Sequence, residues 1–272
     1  MRRATYCLGA VGILVVCLVV AAPASAYVML QDANSIAQFD VTTSAGLNEW
    51  LVDGTNHMYQ QWFWYRVGPA GGEQPINALT LDGAPLVTDT NNDGSPDTLY
   101  TRYLGQGFAI DLWYILAGGA TGSGTSEIAE IIRINNTSAT DSLDFHFFQY
   151  ADFNLNDDGS QDTVDITGGN TAYQASPTAY VAETVVTPKP SHFEAALSGM
   201  TLASLSDAAP TTLSDTPTAG PGDVSWAFEW DKEIAPGQTL LISKDKNIVP
   251  EPATMALMGT GLVIALAARR KR

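Results

Sequence analysis

The sequence predicts an all-β protein: an antiparallel β-sandwich ectodomain between an N-terminal signal helix and a C-terminal transmembrane helix. Three observations lead there. Apolar side chains in the body alternate with polar ones, the period of a half-buried strand. Gly- and Pro-rich turns interrupt these runs at short intervals, as in sandwiches. The long apolar runs are confined to the two ends of the 272-residue chain.

At the N-terminus, Arg2 and Arg3 precede an apolar stretch from Leu8 to Ala22, which ends at Ala24-Ser25-Ala26. A basic start, a short apolar middle and small residues at the end describe a signal peptide over residues 1–26. Ala24 and Ala26 mark cleavage before Tyr27, and the Sec machinery is the implied partner. Both cysteines, Cys7 and Cys17, lie in this stretch, so the body has no disulfide framework, thiolate nucleophile or cysteine metal site.

Residues 27–248 form the predicted ectodomain. Strands are expected near 37–43, 57–67, 76–81 and 98–104. Ile110, Leu112, Tyr114 and Leu116 then share one face, and Ile128, Ile132 and Ile134 repeat the pattern with Glu130 among them. Phe145, Phe147 and Gln149 alternate with Asp144, His146 and Phe148; Trp226, Phe228 and Trp230 alternate with Ser225, Ala227, Glu229 and Asp231. Further strands are expected near 171–175, 178–187 and 238–244. Turns fall at Asp82-Gly83, Gly118-Gly119, Gly168-Gly169-Asn170 and Pro236-Gly237. A short helix is expected near 193–205, and 206–223, rich in Ser, Thr, Pro and Gly, reads as a long surface loop.

Residues 249–272 read as Val249-Pro250-Glu251-Pro252, an apolar run from Ala253 to Ala268, and Arg269-Arg270-Lys271-Arg272. Sixteen residues of helix span about 24 Å, short of the ~30 Å hydrocarbon core but within reach of snorkelling arginines. The basic cluster belongs on the cytoplasmic side, which puts the body across the inner membrane. This tail resembles the PEP-CTERM sorting signal of exosortase substrates, carried by Pro250, Glu251 and Pro252, the short span and the terminal basic cluster. The resemblance implies an exosortase partner, cleavage near the motif, and an exported protein anchored at its C-terminus before processing. It also implies a final place at the cell surface or in an exopolysaccharide matrix, as in a biofilm. A plain, uncut anchor is the alternative. Parts of the body, Gln61–Arg66, Phe147–Phe153 and Gly222–Gly237, resemble ectodomains found ahead of such tails; that resemblance brings no catalytic residues.

Charge excludes one class of partner. The whole chain carries −16, and residues 27–252 hold all 29 acids against seven basic residues, a formal −22. Phosphate binding needs clustered basic surface, so nucleic acid is excluded. Extracellular polysaccharide is a candidate partner, with divalent cations bridging any anionic polymer.

One internal repeat carries chemistry. Residues 89–98 (DTNNDGSPDT) and 154–163 (NLNDDGSQDT) are identical at six of ten positions. Oxygen side chains recur at alternate positions around a glycine: Asp89, Asn91, Asp93 and Asp97, then Asn154, Asn156, Asp158 and Asp162, with Ser95 and Ser160 completing each series. Ca2+ takes six to eight oxygens, and such a loop can wrap it. The loops resemble those of dockerins and thrombospondin type 3 repeats. At position 12, where an EF-hand places its bidentate acid, the first copy has Tyr100 and the second Asp165. Ordinary hairpin turns are the plain alternative, since Asn-Asp-Gly and Asp-Asp-Gly form them readily.

No catalytic constellation is identifiable. His57, His146 and His192 lack ligand spacing, and no Gly-x-Ser-x-Gly elbow or phosphate-cradling loop occurs. The aromatic run Trp62-Phe63-Trp64-Tyr65 suits a core face better than a sugar platform. The expected role is therefore structural or binding, with Ca2+ as the candidate cofactor. A polysaccharide-active enzyme on a β-sandwich is the alternative.

Overall fold

A computed structural model describes residues 27–250. The expected signal helix with Ala24 and Ala26, the residues Glu251 and Pro252, and the expected transmembrane run lie outside the described residues. Among the described residues, no helix is long and apolar enough to cross a membrane.

Two sheets make up the body. The first draws on β1 (Tyr27–Asp32), β2 (Ser35–Asp40), β3 (Gly46–Val52), β4 (Thr55–Asn56), β5 (Met58–Val67) and β6 (Gln74–Pro75). The chain then passes to the second sheet through β7 (Thr80–Leu81), β8 (Leu86–Thr88), β9 (Thr98–Gly105), β10 (Phe108–Gly118) and β11 (Ser126–Asn136). It returns with β12 (Leu143–Phe153), crosses again for β13 (Asp162–Thr167), β14 (Thr171–Ala175) and β15 (Ala179–Thr187), and returns once more for β16 (His192–Leu197). A single α-helical turn and a half, α1 (Met200–Leu205), precedes β17 (Thr218–Gly222), β18 (Val224–Ile234) and β19 (Thr239–Pro250). Sheet one runs β1-β2-β3-β5-β12-β18-β16; sheet two runs β17-β13-β14-β15-β19-β11-β10-β9-β7. Neighbours are antiparallel except β3 and β5, which pair in parallel.

The sheets face each other across an aromatic core. Phe39 meets Tyr114 with ring centroids 4.6 Å apart, and the Trp50 indole N–H donates to Ser126 Oγ at 3.0 Å. Phe63 stacks on Phe147 at 5.3 Å, and Phe153 on Trp226 at 5.1 Å. Trp62, Phe63 and Trp64 are all buried, so the aromatic run packs the interior.

Simple alternation fails in the middle of sheet one. Residues 147–153 of β12 and 224–230 of β18 are buried on both faces, because α1 and the segment after it cover the face turned away from sheet two. A strand covered on both sides loses its polar alternation, and 147–153 is accordingly mostly aromatic, with only Gln149 and Asp152 as buried polar members.

Three expectations need correction. The short turn or two of helix expected near 193–205 is present at Met200–Leu205, but the first part of that span is a strand, His192–Leu197. Helix-forming residues there are overruled by pairing along β18, from His192↔Glu229 to Leu197↔Val224. The loop expected over 206–223 ends in β17, which borders β13. The expected strand at 76–81 is a 3₁₀ turn at Ile76–Ala78 followed by the two-residue β7. Strands β1, β3, β4, β6, β8 and β13 lie outside the expected set.

Candidate functional site

The first repeat copy closes a hairpin. It joins β8 to β9, whose register includes Thr88↔Thr98. Its acids turn inward onto the loop's own backbone. Asp89 accepts the N–H groups of Asn92 at 2.7 Å and Gly94 at 2.9 Å, and Asp93 accepts that of Ser95 at 2.8 Å. Asp97, 3% exposed, accepts from Thr90 and Thr98 side chains at 2.9 Å and from the Asn91 N–H at 3.2 Å. Burial pushes the Asp97 pKa up, but these hydrogen bonds outweigh it and hold the carboxyl below its ordinary value. Asn91 reaches away to Asp32 at 2.8 Å.

The second copy does different work. It carries the chain from β12 in sheet one to β13 in sheet two, so no hairpin forms. Asn156 and Asp157 both adopt φ of 60°, a left-handed pair that folds the loop back on itself. Asp162 opens β13 fully buried. Its Oδ2 accepts from the Gln174 amide at 2.6 Å and from the Leu155 N–H at 3.2 Å, while Oδ1 has no hydrogen-bond partner. Asn154 Oδ1 is likewise buried and unpartnered. Gly159 sits against this pair of loop ends: a Cβ there would lie 2.6 Å from Asn154 Oδ1 and 3.2 Å from Asp223 Oδ1. Burial pushes the Asp162 pKa up to about 6; the hydrogen bonds from Gln174 and Leu155 oppose this, and Asp158 and Asp223 add to it.

A neighbouring carboxyl shares the pattern. Asp152, at the end of β12, accepts from Ser198 at 2.7 Å and Tyr150 at 3.0 Å and leaves Oδ1 unpartnered. Burial raises it to about 6, with Asp223 contributing. Sequence reasoning missed Asp152 and Asp223 because both come from outside the repeat. The remaining second-loop residues are dispersed. Asp158 is exposed and caps Ser160 at 3.0 Å, and Asn156 donates to Thr178 at 2.6 Å. Asp165 lies on the opposite face of β13 from Asp162, since three residues separate them on a period-two strand.

Between the sheets lies a charged layer that the sequence did not announce. Lys244 and Lys246 of β19, Glu130 of β11 and Glu183 of β15 are all buried. Lys244 bonds Glu130 and lies 3.2 Å from Glu183; Lys246 bonds Glu130. From sheet one, Gln149 donates to Glu183 at 2.7 Å and Gln61 to Glu130 at 3.3 Å. Two lysines and two glutamates thus meet inside the core, with Gln61 and Gln149 completing the polar layer.

The histidines, scattered in sequence, separate in space into two groups. His57 is buried beside the second loop, where its Nδ1 accepts the Asn156 N–H at 3.3 Å, and burial lowers its pKa to about 4. His146 and His192 instead flank Asp231 on the covered face of sheet one. Strand pairing was needed to see this, because no fixed spacing links 146, 192 and 231.

The sorting residues begin where the last strand ends. Pro250 is exposed at the end of β19 and pairs with Ala179, so the strand runs two residues past the expected boundary at 248. Residues 249–272 match the PEP-CTERM protein-sorting motif. No curated protein matches the chain. Among solved structures, a bacterial glucoamylase complexed with acarbose is similar at 9% identity and a TM-score of 0.51, over 84% of this chain and 32% of its own. A putative kojibiose phosphorylase from the human microbiome is similar at 8% identity and a TM-score of 0.47, over 90% of this chain and 33% of its own. The chain thus spans about a third of the length of either structure, and at such identity the likeness to the glucoamylase concerns fold alone. The chain is a β-rich, PEP-CTERM domain-containing protein, whose motif implies export and recognition by an exosortase.

Proposed function

We propose that the protein is an exosortase-processed component of the cell surface or exopolysaccharide matrix, with a structural or binding role and with Ca2+ held at its Asp/Asn-rich loops. The observation that carries this reading is the sorting motif at 249–272, which follows directly on a folded two-sheet body. The body's formal −22 suits contact with polysaccharide through bridging cations.

The calcium part rests on the second loop. Asp162 Oδ1 and Asn154 Oδ1 are buried oxygens without partners beside Asp223, in a place where two further carboxylates, Asp152 and Asp158, add negative charge. Burying unpartnered acceptors costs about 1–3 kcal/mol each, and a hard cation offsets that cost. The first loop, with its oxygens already committed to backbone N–H groups, is the weaker of the two.

Two experiments test the two parts. Replacing Pro250-Glu251-Pro252 by alanines in the host should retain the protein at the inner membrane; release into the medium at the normal level would overturn sorting. Titrating the full chain, purified in detergent and stripped with chelator, should show Ca2+ binding at about 10⁻⁴–10⁻³ M, as in extracellular modules. Absence of binding at 10 mM, about ten times that range's upper end, would remove calcium from the reading.

A further inference from the structure

The covered face of sheet one carries a second polar cluster, remote in chemistry from the calcium loops because it contains nitrogen ligands. Register builds it. His146 on β12 is directly opposite Asp231 on β18, and His192 on β16 is directly opposite Glu229. Glu229 and Asp231, two residues apart on one strand, project from the same face, so two carboxylates and two imidazoles meet across three adjacent strands.

Ligand atoms of His146, Glu229 and Asp231 all lie within 4.8 Å of one another. Tetrahedral Zn2+ with bonds of about 2.0–2.1 Å sets its ligand atoms about 3.3 Å apart, so small side-chain rotations close the cluster on an ion. Glu229 is 0% exposed. Its Oε2 accepts the Leu213 N–H at 2.7 Å, and its Oε1 is buried with no hydrogen-bond partner. Arg66, the nearby cation, is engaged with Glu73 at 2.9 Å.

Both imidazoles are already oriented by carboxylates. His146 contacts Asp231 through Nδ1, while Asp144 Oδ1 stands 3.5 Å from its Nε2. His192 Nδ1 lies 3.0 Å from Asp215, which leaves its Nε2 facing Asp231 Oδ2 at 4.0 Å. A carboxylate behind a histidine fixes the tautomer and makes the forward nitrogen a better metal ligand. His146 Nε2 is buried without a hydrogen-bond partner, and a metal at Nδ1, with Nε2–H turned to Asp144, gives it one.

We infer that His146 Nδ1, Glu229 Oε1 and Asp231 form a binding site for a first-row transition dication of the Zn2+ class, with His192 beside the open fourth position and Asp144 and Asp215 as positioning residues. Mixed imidazole and carboxylate ligands select such an ion over Ca2+. The site stays accessible through the partly exposed Asp231 and His192.

The test uses the full chain purified in detergent, stripped with chelator and titrated with Zn2+ by calorimetry, with Co2+ as a spectroscopic probe. Wild type should bind one equivalent and give the visible bands of four-coordinate Co2+. Glu229→Gln and His146→Gln should each weaken Zn2+ at least tenfold, and Asp144→Asn, behind the ligand His146, should weaken it by about 10-fold. His57→Gln, outside the cluster, should bind as wild type does. Near-ultraviolet circular dichroism in chelator checks that each variant folds; if His146→Gln or Glu229→Gln does not, Asp231→Asn, at a partly exposed position, carries the comparison. Absence of saturable Zn2+ binding in wild type, or unchanged affinity in the cluster variants, would overturn the site. Displacement of Zn2+ by a tenfold excess of Ca2+ would overturn the assigned ion class. Neither result depends on the calcium loops or on sorting.

Discussion

Lys246 is buried beside Glu130 and faces Glu183 across the strand register, while Lys244 joins the same two carboxylates. Such a layer adds little net stability compared with a well-packed apolar one, but removal of one member leaves a charge uncompensated. Lys246→Met should therefore lower unfolding free energy by about 3–5 kcal/mol, read from denaturant midpoints, and the double change with Glu130→Gln should lose less than the single one. Lys244 adds a pH signature. Burial depresses its pKa from 10.5 to about 8, with Glu183 opposing the shift. Between those values the unfolded chain binds more protons than the folded one, so the Lys244 contribution to stability rises with pH from about 8 to about 10.5. Subtracting the pH profile of Lys244→Met from that of wild type isolates the effect; a flat difference would contradict it. These residues were poorly legible in sequence. Ile242, Lys244, Lys246 and Ile248 share one face of β19, and nothing in that strand says the lysines point inward until Glu130 and Glu183 are paired beside them.

Among the elements, β3 and β5 meet in the sole parallel pairing of the described sheets, and Gly46 makes it fit. Gly46 has φ of +57°, and a Cβ there would lie 2.2 Å from the Gln61 carbonyl and 2.4 Å from the Trp62 ring. Gly46→Ala should destabilise by at least the ~1–3 kcal/mol typical of overpacking, measured by urea unfolding. Strands with clean alternation, such as β11 and the second half of β10, were legible because their period is set by one buried face. Segment 192–197 was not: Phe193-Glu194-Ala195-Ala196-Leu197 is helix-compatible, and only the partner strand β18 decides its state. The two repeat copies make the same point. Near-identical loops close a hairpin at 89–98 and bridge the sheets at 154–163, because the strands entering and leaving them differ.

For the molecule as a whole, calcium should act through the sheet crossing. Filling the second loop ties the end of β12 to the start of β13, one of the connections between the sheets. At ten times the dissociation constant, binding stabilises by about 1.4 kcal/mol, so the melting temperature should rise by about 3–6 °C. Gly159→Ala should abolish that rise, since the added methyl meets Asn154 Oδ1 at 2.6 Å. A full calcium response in Gly159→Ala would place the ion elsewhere.

By itself the sequence determined the β class, the acidic cysteine-free body and the sorting tail, because each is a local property of composition, period or contiguous motif. The tertiary structure decided which polar groups meet. It set Lys against Glu in the core, gathered Asp152 and Asp223 toward the second loop, and brought His146 of β12 against Glu229 and Asp231 of β18. Those groupings depend on strand order and register, and a one-residue change of register turns every side chain of a strand to the other face.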